Sequence, residues 1–334
     1  MADGMLAMLT SLLVYFPFLA IALIAQWSDR DRVVRWVAYG LFLLFDASAA
    51  MVGVLASLIG WSSRMKHLLA SQYAGIASLH LDVFGLIVIG VTLLAPVFLL
   101  PFVRRGLARI IPIDPDSGVH ATALALAVLA AGLNLSQVPL VGGLSVLAES
   151  AASITFLDLL ASNLPIGLFA FVGVGFLIRR TPRETQERLG LERITWPQAG
   201  LTVVLASVIL VFYYGVDWAW RLLGSDSYEM MESLGEVLYG GVMVTWQAVV
   251  VSLVAGVTEE LFFRGALQPR FGFWLTAFLF TAVHVQYGLT PATVEVLGGA
   301  LVLGWLRRRT NTSACILLHV LYDLAGLLVF PLLP

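Results

Sequence analysis

Apolar residues fill this chain in long runs separated by short polar connections. A helix crosses a bilayer with about 20 apolar residues, range about 17–25. Runs of that kind lie near 5–25, 36–60, 80–103, 119–138, 157–178, 198–220, 242–268, 273–290, 291–306 and 313–333. The pattern predicts an all-α, polytopic transmembrane bundle of about ten spanning helices, the run at 291–306 being the shortest. Pro17, Pro96 and Pro101 mark expected kinks or breaks. Gly173/Gly175 and Gly298/Gly299/Gly304 are expected to let helices approach closely. The longest hydrophilic stretch, Arg179–Thr195, divides residues 1–195, for which no role is readable, from residues 196–334, which hold the chemistry.

The connections test this division into spans. Arginines cluster at Arg30/Arg32/Arg35, Arg104/Arg105/Arg109, Arg179/Arg180/Arg183/Arg188/Arg193, Arg264/Arg270 and Arg307/Arg308/Arg309, in every second connection. Between them, Leu140–Phe156 has no basic residue and Ser225–Glu236 is acidic; the loop with Arg64 and Lys66 is the exception. By the positive-inside rule the arginine clusters are expected in the cytoplasm and both termini outside.

Composition agrees. The chain is 60% hydrophobic and 12% charged, against about 25% charged in soluble domains, and its mean hydropathy is +0.93. A net charge of −2 leaves no nucleic-acid footprint, and one cysteine, Cys315, excludes an internal disulfide or a multi-cysteine metal site. Met5 to Ala25 has no basic leader segment and reads as a span, not a cleavable signal. Arginine far above lysine in an Ala/Leu/Val-rich chain looks bacterial, so a multi-pass protein of a bacterial plasma membrane is expected.

Polar groups inside apolar helices are costly and are functional candidates by default. Glu260 and Arg264 are four apart and share a helix face, with the acid N-terminal. Glu259 points about 100° away, without that partner. The adjacent acids therefore have different environments, one neutralised and one free to act as a base. His284 ends the segment FTAVH; His319 and Asp323 are four apart in HVLYD, where an Asp can hold a His in one orientation. At about 1.5 Å per residue, Glu259 lies roughly 16 Å from Arg270, His284 roughly 18 Å from Gly272, and His319 and Asp323 roughly 15 and 21 Å from Arg309. All four fall near one level of a hydrocarbon core about 30 Å thick.

E-E-x-x-x-R at Glu259–Arg264, F-x-x-x-H at Phe280–His284 and H-x-x-x-D at His319–Asp323, in that order, resemble the CPBP family. These are the CAAX-protease and bacteriocin-processing enzymes, including the Ras-converting prenyl endopeptidases. The resemblance covers roughly residues 240–330. It implies intramembrane peptide hydrolysis by a glutamate-activated water, without a metal. Glu259 would be the base, His284 would help hold the water, Glu260 and Arg264 would orient the site, and His319 and residue 323 would stabilise the oxyanion. The family position matching Asp323 most often holds Asn. An ionised Asp cannot donate a hydrogen bond, so Asp323 is either protonated or orients His319. The implied partners are the bilayer and a peptide or membrane-anchored protein, with a lipidated CAAX tail or a small peptide as candidates.

Other readings stay open at this point. Glu259, Glu260 and Arg264 could be a structural ion-pair network. One Glu with two His is a familiar zinc set, which makes zinc the rival to an expected absence of cofactors. Cys315, His319 and Asp323 share a helix face, but a nucleophile there would leave Glu259 unused. Asp46, His80, Asp82, Glu149 and Asp158 have no partner at readable spacing. A proton-coupled transporter could use the same polar groups, and a non-catalytic scaffold or immunity protein could keep the fold without the reaction.

Overall fold

The computed structural model of the chain describes residues 2–140, 156–224, 226–239, 245–284 and 287–328. The arginine-free connection after Leu140, with Glu149, lies outside them, as do the acidic connection's Ser225 and residues 329–334. The described regular structure is helical, with no strand. In chain order the helices are α1 (Ala2–Ala25), α2 (Arg32–Trp61), α3 (Ser63–Gln72), α4 (Leu81–Leu94), α5 (Pro101–Leu107), α6 (Gly118–Leu135), α7 (Gln137–Leu140), α8 (Phe156–Val174), α9 (Pro182–Leu189), α10 (Trp196–Leu222), α11 (Asp226–Tyr239), α12 (Thr245–Glu260), α13 (Gln268–Ala282), α14 (Pro291–Arg309) and α15 (Thr312–Leu328).

Among the described residues, six stretches are long and apolar enough to cross a membrane: Arg32–Trp61, Leu81–Leu99, Gly118–Leu140, Phe156–Val174, Trp196–Leu222 and Trp246–Ala282. Leu12–Ala25 and Thr312–Leu328 are shorter apolar helices. These mark a multi-pass membrane protein. Its outward surface agrees, because Leu44, Leu93, Val211 and Phe278 stand exposed on these stretches, as lipid-facing side chains do.

One expected span is shorter than its apolar run. The run at 273–290 is helical only to Ala282. After it come His284 and, at φ 61°, Gly288, before Pro291 opens the next helix. Counted from Gly272, ten helical residues rise about 15 Å, half the hydrocarbon thickness. Non-helical backbone at such depth is tolerated where it lines a polar cavity, as His284 and Tyr287 do.

Two prolines act as expected: α4 gives way at Ala95 to a 3₁₀ turn holding Pro96, and Pro101 opens α5. At Gly298, an added Cβ would run into Phe212 of α10, so this glycine is what lets α10 and α14 meet.

The connections bearing arginine clusters gather at one end of the bundle. Asp29 accepts hydrogen bonds from Ser117 Oγ and the Gly118 N–H, and pairs with Arg179 at 3.0 Å, tying three of them together. At the far end of α2, Lys66 donates to the Leu79 carbonyl and the His80 N–H to the Leu140 carbonyl. Burial pulls the Asp29 pKa upward, but bonds from Ser117 and Gly118 and the Arg179 charge outweigh it and hold it below 3.8. A depressed carboxylate pKa contributes stability above the unfolded-state value, and that contribution is lost as pH falls through the folded value. Wild-type stability is therefore expected to drop as pH falls below about 4, and Asp29→Asn to flatten that drop in acid-unfolding curves.

Candidate active site

The segment carrying the glutamates is not a plain α-helix. After Glu260 the backbone widens into a π-helix, Leu261–Leu267, and the Gln268 N–H bonds to the Phe263 carbonyl five residues back. Pro269 comes next and has no N–H to offer the Arg264 or Gly265 carbonyl. Arginines supply the missing donors. Arg307 Nε donates to the Arg264 carbonyl at 3.2 Å, and Arg188 to the carbonyls of Gly265 (2.7 Å) and Ala266 (3.1 Å). A buried carbonyl left bare costs about 1–3 kcal/mol, so this capping is what lets the wide turn persist. Burial and the neighbouring Arg270, Arg180 and Arg307 push the Arg188 pKa down to about 10, so it still carries its charge at neutral pH.

Gly272 then turns the chain with φ 76° and ψ 177°, a conformation that favours glycine. The helix folds back on itself: the rings of Phe263 and Phe280 meet edge-on at 5.0 Å, and the Arg264 guanidinium lies 4.4 Å over Phe280. That reversal brings His284 level with Glu259.

All six candidate residues are brought together. Glu260 and Arg264 form a buried pair, with Nε 3.2 Å from Oε2 and side chains 0% and 1% exposed. The Nε hydrogen does not point at the oxygen, so the contact is more Coulombic than hydrogen-bonded. Arg264 also donates to the Ala300 carbonyl. The other oxygen of Glu260 lies 2.8 Å from His319 Nδ1, across helices. His319 Nε2 faces Asp323 Oδ2 at 3.5 Å. Both ring nitrogens of His319 thus face carboxyl groups. Tyr322 stacks on this ring at 4.8 Å.

His284 is held differently. Its Nδ1 lies 2.7 Å from the Phe280 carbonyl. A carbonyl only accepts, so Nδ1 carries the proton, and in the neutral form of the ring Nε2 is an acceptor. Nε2 looks toward Glu259 Oε2 at 3.8 Å, beyond direct hydrogen-bond reach. Glu259 Oε2 is buried and has no hydrogen-bond partner among the described residues. Two acceptors therefore face one gap, an arrangement that a donor such as water satisfies.

Glu259, His284, His319 and Asp323 line a cavity of about 510 Å³ together with Tyr213, Asp217, Tyr287, Glu295 and, from α8, Asn163. Asn163 accepts a hydrogen bond from Thr258, the residue before Glu259. Asp217 and Glu295 are intramembrane acids absent from the candidates read from the sequence; their position inside apolar runs was the available signal. Cys315 faces away from the cavity into a core with Leu303, Leu306 and Leu318, and its thiol donates to the Leu303 carbonyl. Asp46 is buried on α2, remote from the cavity lining. Among the described residues, no three His, Cys, Asp or Glu side chains converge as a metal would require.

A family model described as "Type II CAAX prenyl endopeptidase Rce1-like" matches residues 241–325, which include all six candidate residues. No curated protein and no solved structure matches the chain.

Proposed function

Because residues 241–325 are a domain of the Rce1-like CAAX prenyl endopeptidase family, a family of proteases, we propose that this chain hydrolyses peptide bonds within the membrane by a water that Glu259 activates. The observation that carries the reading is the pair of acceptors, Glu259 Oε2 and His284 Nε2, facing each other at 3.8 Å. A water between them donates one hydrogen to each and turns a lone pair toward the substrate. As it attacks the scissile carbonyl carbon, Glu259 takes its proton and later delivers it to the leaving nitrogen. The carbonyl oxygen becomes an oxyanion and receives a hydrogen bond from His319 Nε2–H. Glu260, 2.8 Å from Nδ1, fixes that imidazole, and Arg264 balances Glu260. Asp323 holds the ring from its other side before substrate arrives, which reconciles a carboxylate with a position where a donor was expected.

The chain crosses the membrane about ten times in this reading, α13 and the irregular stretch after it making one crossing. The arginine-bearing end faces the cytoplasm, residues 196–334 form the peptidase unit, and residues 1–195 are an N-terminal membrane region. The substrate is a peptide or the end of a membrane-anchored protein, with a CAAX-type tail as the first candidate.

The test is cleavage of such peptides by purified protein in liposomes, with and without chelator. Cleavage insensitive to chelator supports the reading. Loss restored by zinc would sink the metal-free mechanism, and no cleavage together with pH-gradient-driven flux would favour a transporter. Cys315→Ser is expected to leave kcat/KM unchanged, because the thiol sits in the core; complete loss would overturn the glutamate mechanism.

A further inference from the structure

The clamp on the wide turn comes from outside the matched domain. Arg188 belongs to α9, in the hydrophilic stretch between the two halves of the chain. This helix is well defined: Thr181 and Glu184 cap its start reciprocally, Pro182 opens it, and Gly190 closes it at φ 70°. Its last residue, Leu189, is fully buried beside Leu261 and Ala266. At Gly265 an added Cβ would meet Leu189, so glycine there admits the contact.

The same segment is stitched to the helix bearing His319. Thr312 Oγ1 donates to the Leu189 carbonyl at 2.5 Å, the Thr312 N–H to the Gly190 carbonyl at 2.9 Å, and the Glu192 N–H to Ser313 Oγ at 3.2 Å. Residues 188–192 therefore hold the π-helix after the glutamates on one side and the first turn of α15 on the other. Glu259 and Glu260 end the helix that runs into the first of these elements, and His319 lies on the second.

A π-turn holds one residue more than an α-turn, so its presence rotates the helix before it by about 100° relative to the helix after it. The direction in which Glu259 points, relative to His284 beyond the Gly272 reversal, depends on that extra residue staying in place. Two carbonyls at the turn accept from a single guanidinium, that of Arg188.

We propose that Arg188 is a positioning residue for the Glu259–His284 pair, acting through the Leu261–Leu267 turn, and that residues 181–192 are a clasp belonging to the catalytic unit. The inference rests on the proteolytic reading above for its kinetic consequence, but not for its structural one. It moves the start of the functional unit upstream of residue 196.

The experiment compares wild type, Arg188→Ala, Arg188→Lys and, as a control on the exposed face of the same helix, Arg183→Ala. Two readouts are taken: peptide cleavage, and backbone hydrogen exchange over residues 261–268 in reconstituted protein. Arg188→Ala is expected to lower kcat by roughly ten- to a hundredfold, with KM within about twofold because substrate contacts are untouched. Exchange over 261–268 becomes faster. Lys reaches one carbonyl and restores part of both, and Arg183→Ala changes neither. If Arg188→Ala does not fold, the Lys variant carries the comparison. Wild-type kcat in both Arg188 variants, or loss of kcat without faster exchange at 261–268, overturns the proposal. If wild type cleaves nothing, the proteolytic reading fails by itself. Exchange then decides the clasp: faster in Arg188→Ala supports it, unchanged overturns it.

Discussion

Glu259→Gln is expected to slow peptide cleavage by about two to four orders of magnitude while leaving the protein folded. Glutamine keeps the size of the side chain and an acceptor oxygen facing His284, so a water can still be held in the gap. What it loses is the ability to take the proton as the carbonyl is attacked. General-base catalysis contributes about 10²–10⁴-fold, and kcat should fall by that much with KM and thermal unfolding close to wild type. Among the described residues, Glu259 pairs with no arginine or lysine, so removing its charge leaves no guanidinium or ammonium stranded in the core. A Gln variant that keeps kcat within about tenfold of wild type would remove Glu259 from the base's role.

Arg264→Met should have the largest effect on stability. The side chains of Arg264 and Glu260 are 1% and 0% exposed. Removing the cation leaves Glu260 with His319 as its sole charged partner among the described residues, and takes away the packing on Phe280 and the bond to the Ala300 carbonyl. Breaking a buried pair by deleting one partner costs about 3–5 kcal/mol. Denaturant unfolding in detergent should show a loss of that size. Glu260→Gln/Arg264→Met should recover much of it, since the stranded charge is gone, and a double-mutant cycle reads the coupling. A loss below about 1 kcal/mol would mean that the pair behaves as a solvated surface contact.

Much of this arrangement was legible in the sequence, and the reasons differ by feature. Helix depth is linear in residue number, so counting from Arg270, Gly272 and Arg309 placed Glu259, His284, His319 and Asp323 at one level. Spacing of four likewise exposed Glu260–Arg264 and His319–Asp323, because both pairs lie within a single helix. The Glu260–His319 contact joins residues on different helices and has no spacing to betray it. It changes the site: the imidazole is oriented mainly by Glu260 at 2.8 Å, with Asp323 farther away at 3.5 Å. The π-helix was equally silent as periodicity, although Pro269, five residues after Arg264, was a visible cue that carbonyls there would lack donors. The span at 273–290 was overdrawn because hydropathy sees apolar side chains and not the backbone break just past Ala282. Asp217 and Glu295 were missed because neither has another acid or a histidine in its own helix, and only the folded bundle puts them on the cavity wall.

The central claim is that Glu259 and His284 hold the attacking water. The most direct measurement is mass spectrometry of peptide substrates incubated with chelator-treated wild-type protein and with Glu259→Gln and His284→Ala, all reconstituted in liposomes. The account predicts a discrete pair of products from wild type and far less from either variant over the same time. Products formed equally by Glu259→Gln, or cleavage that returns only when zinc is added back, would contradict it.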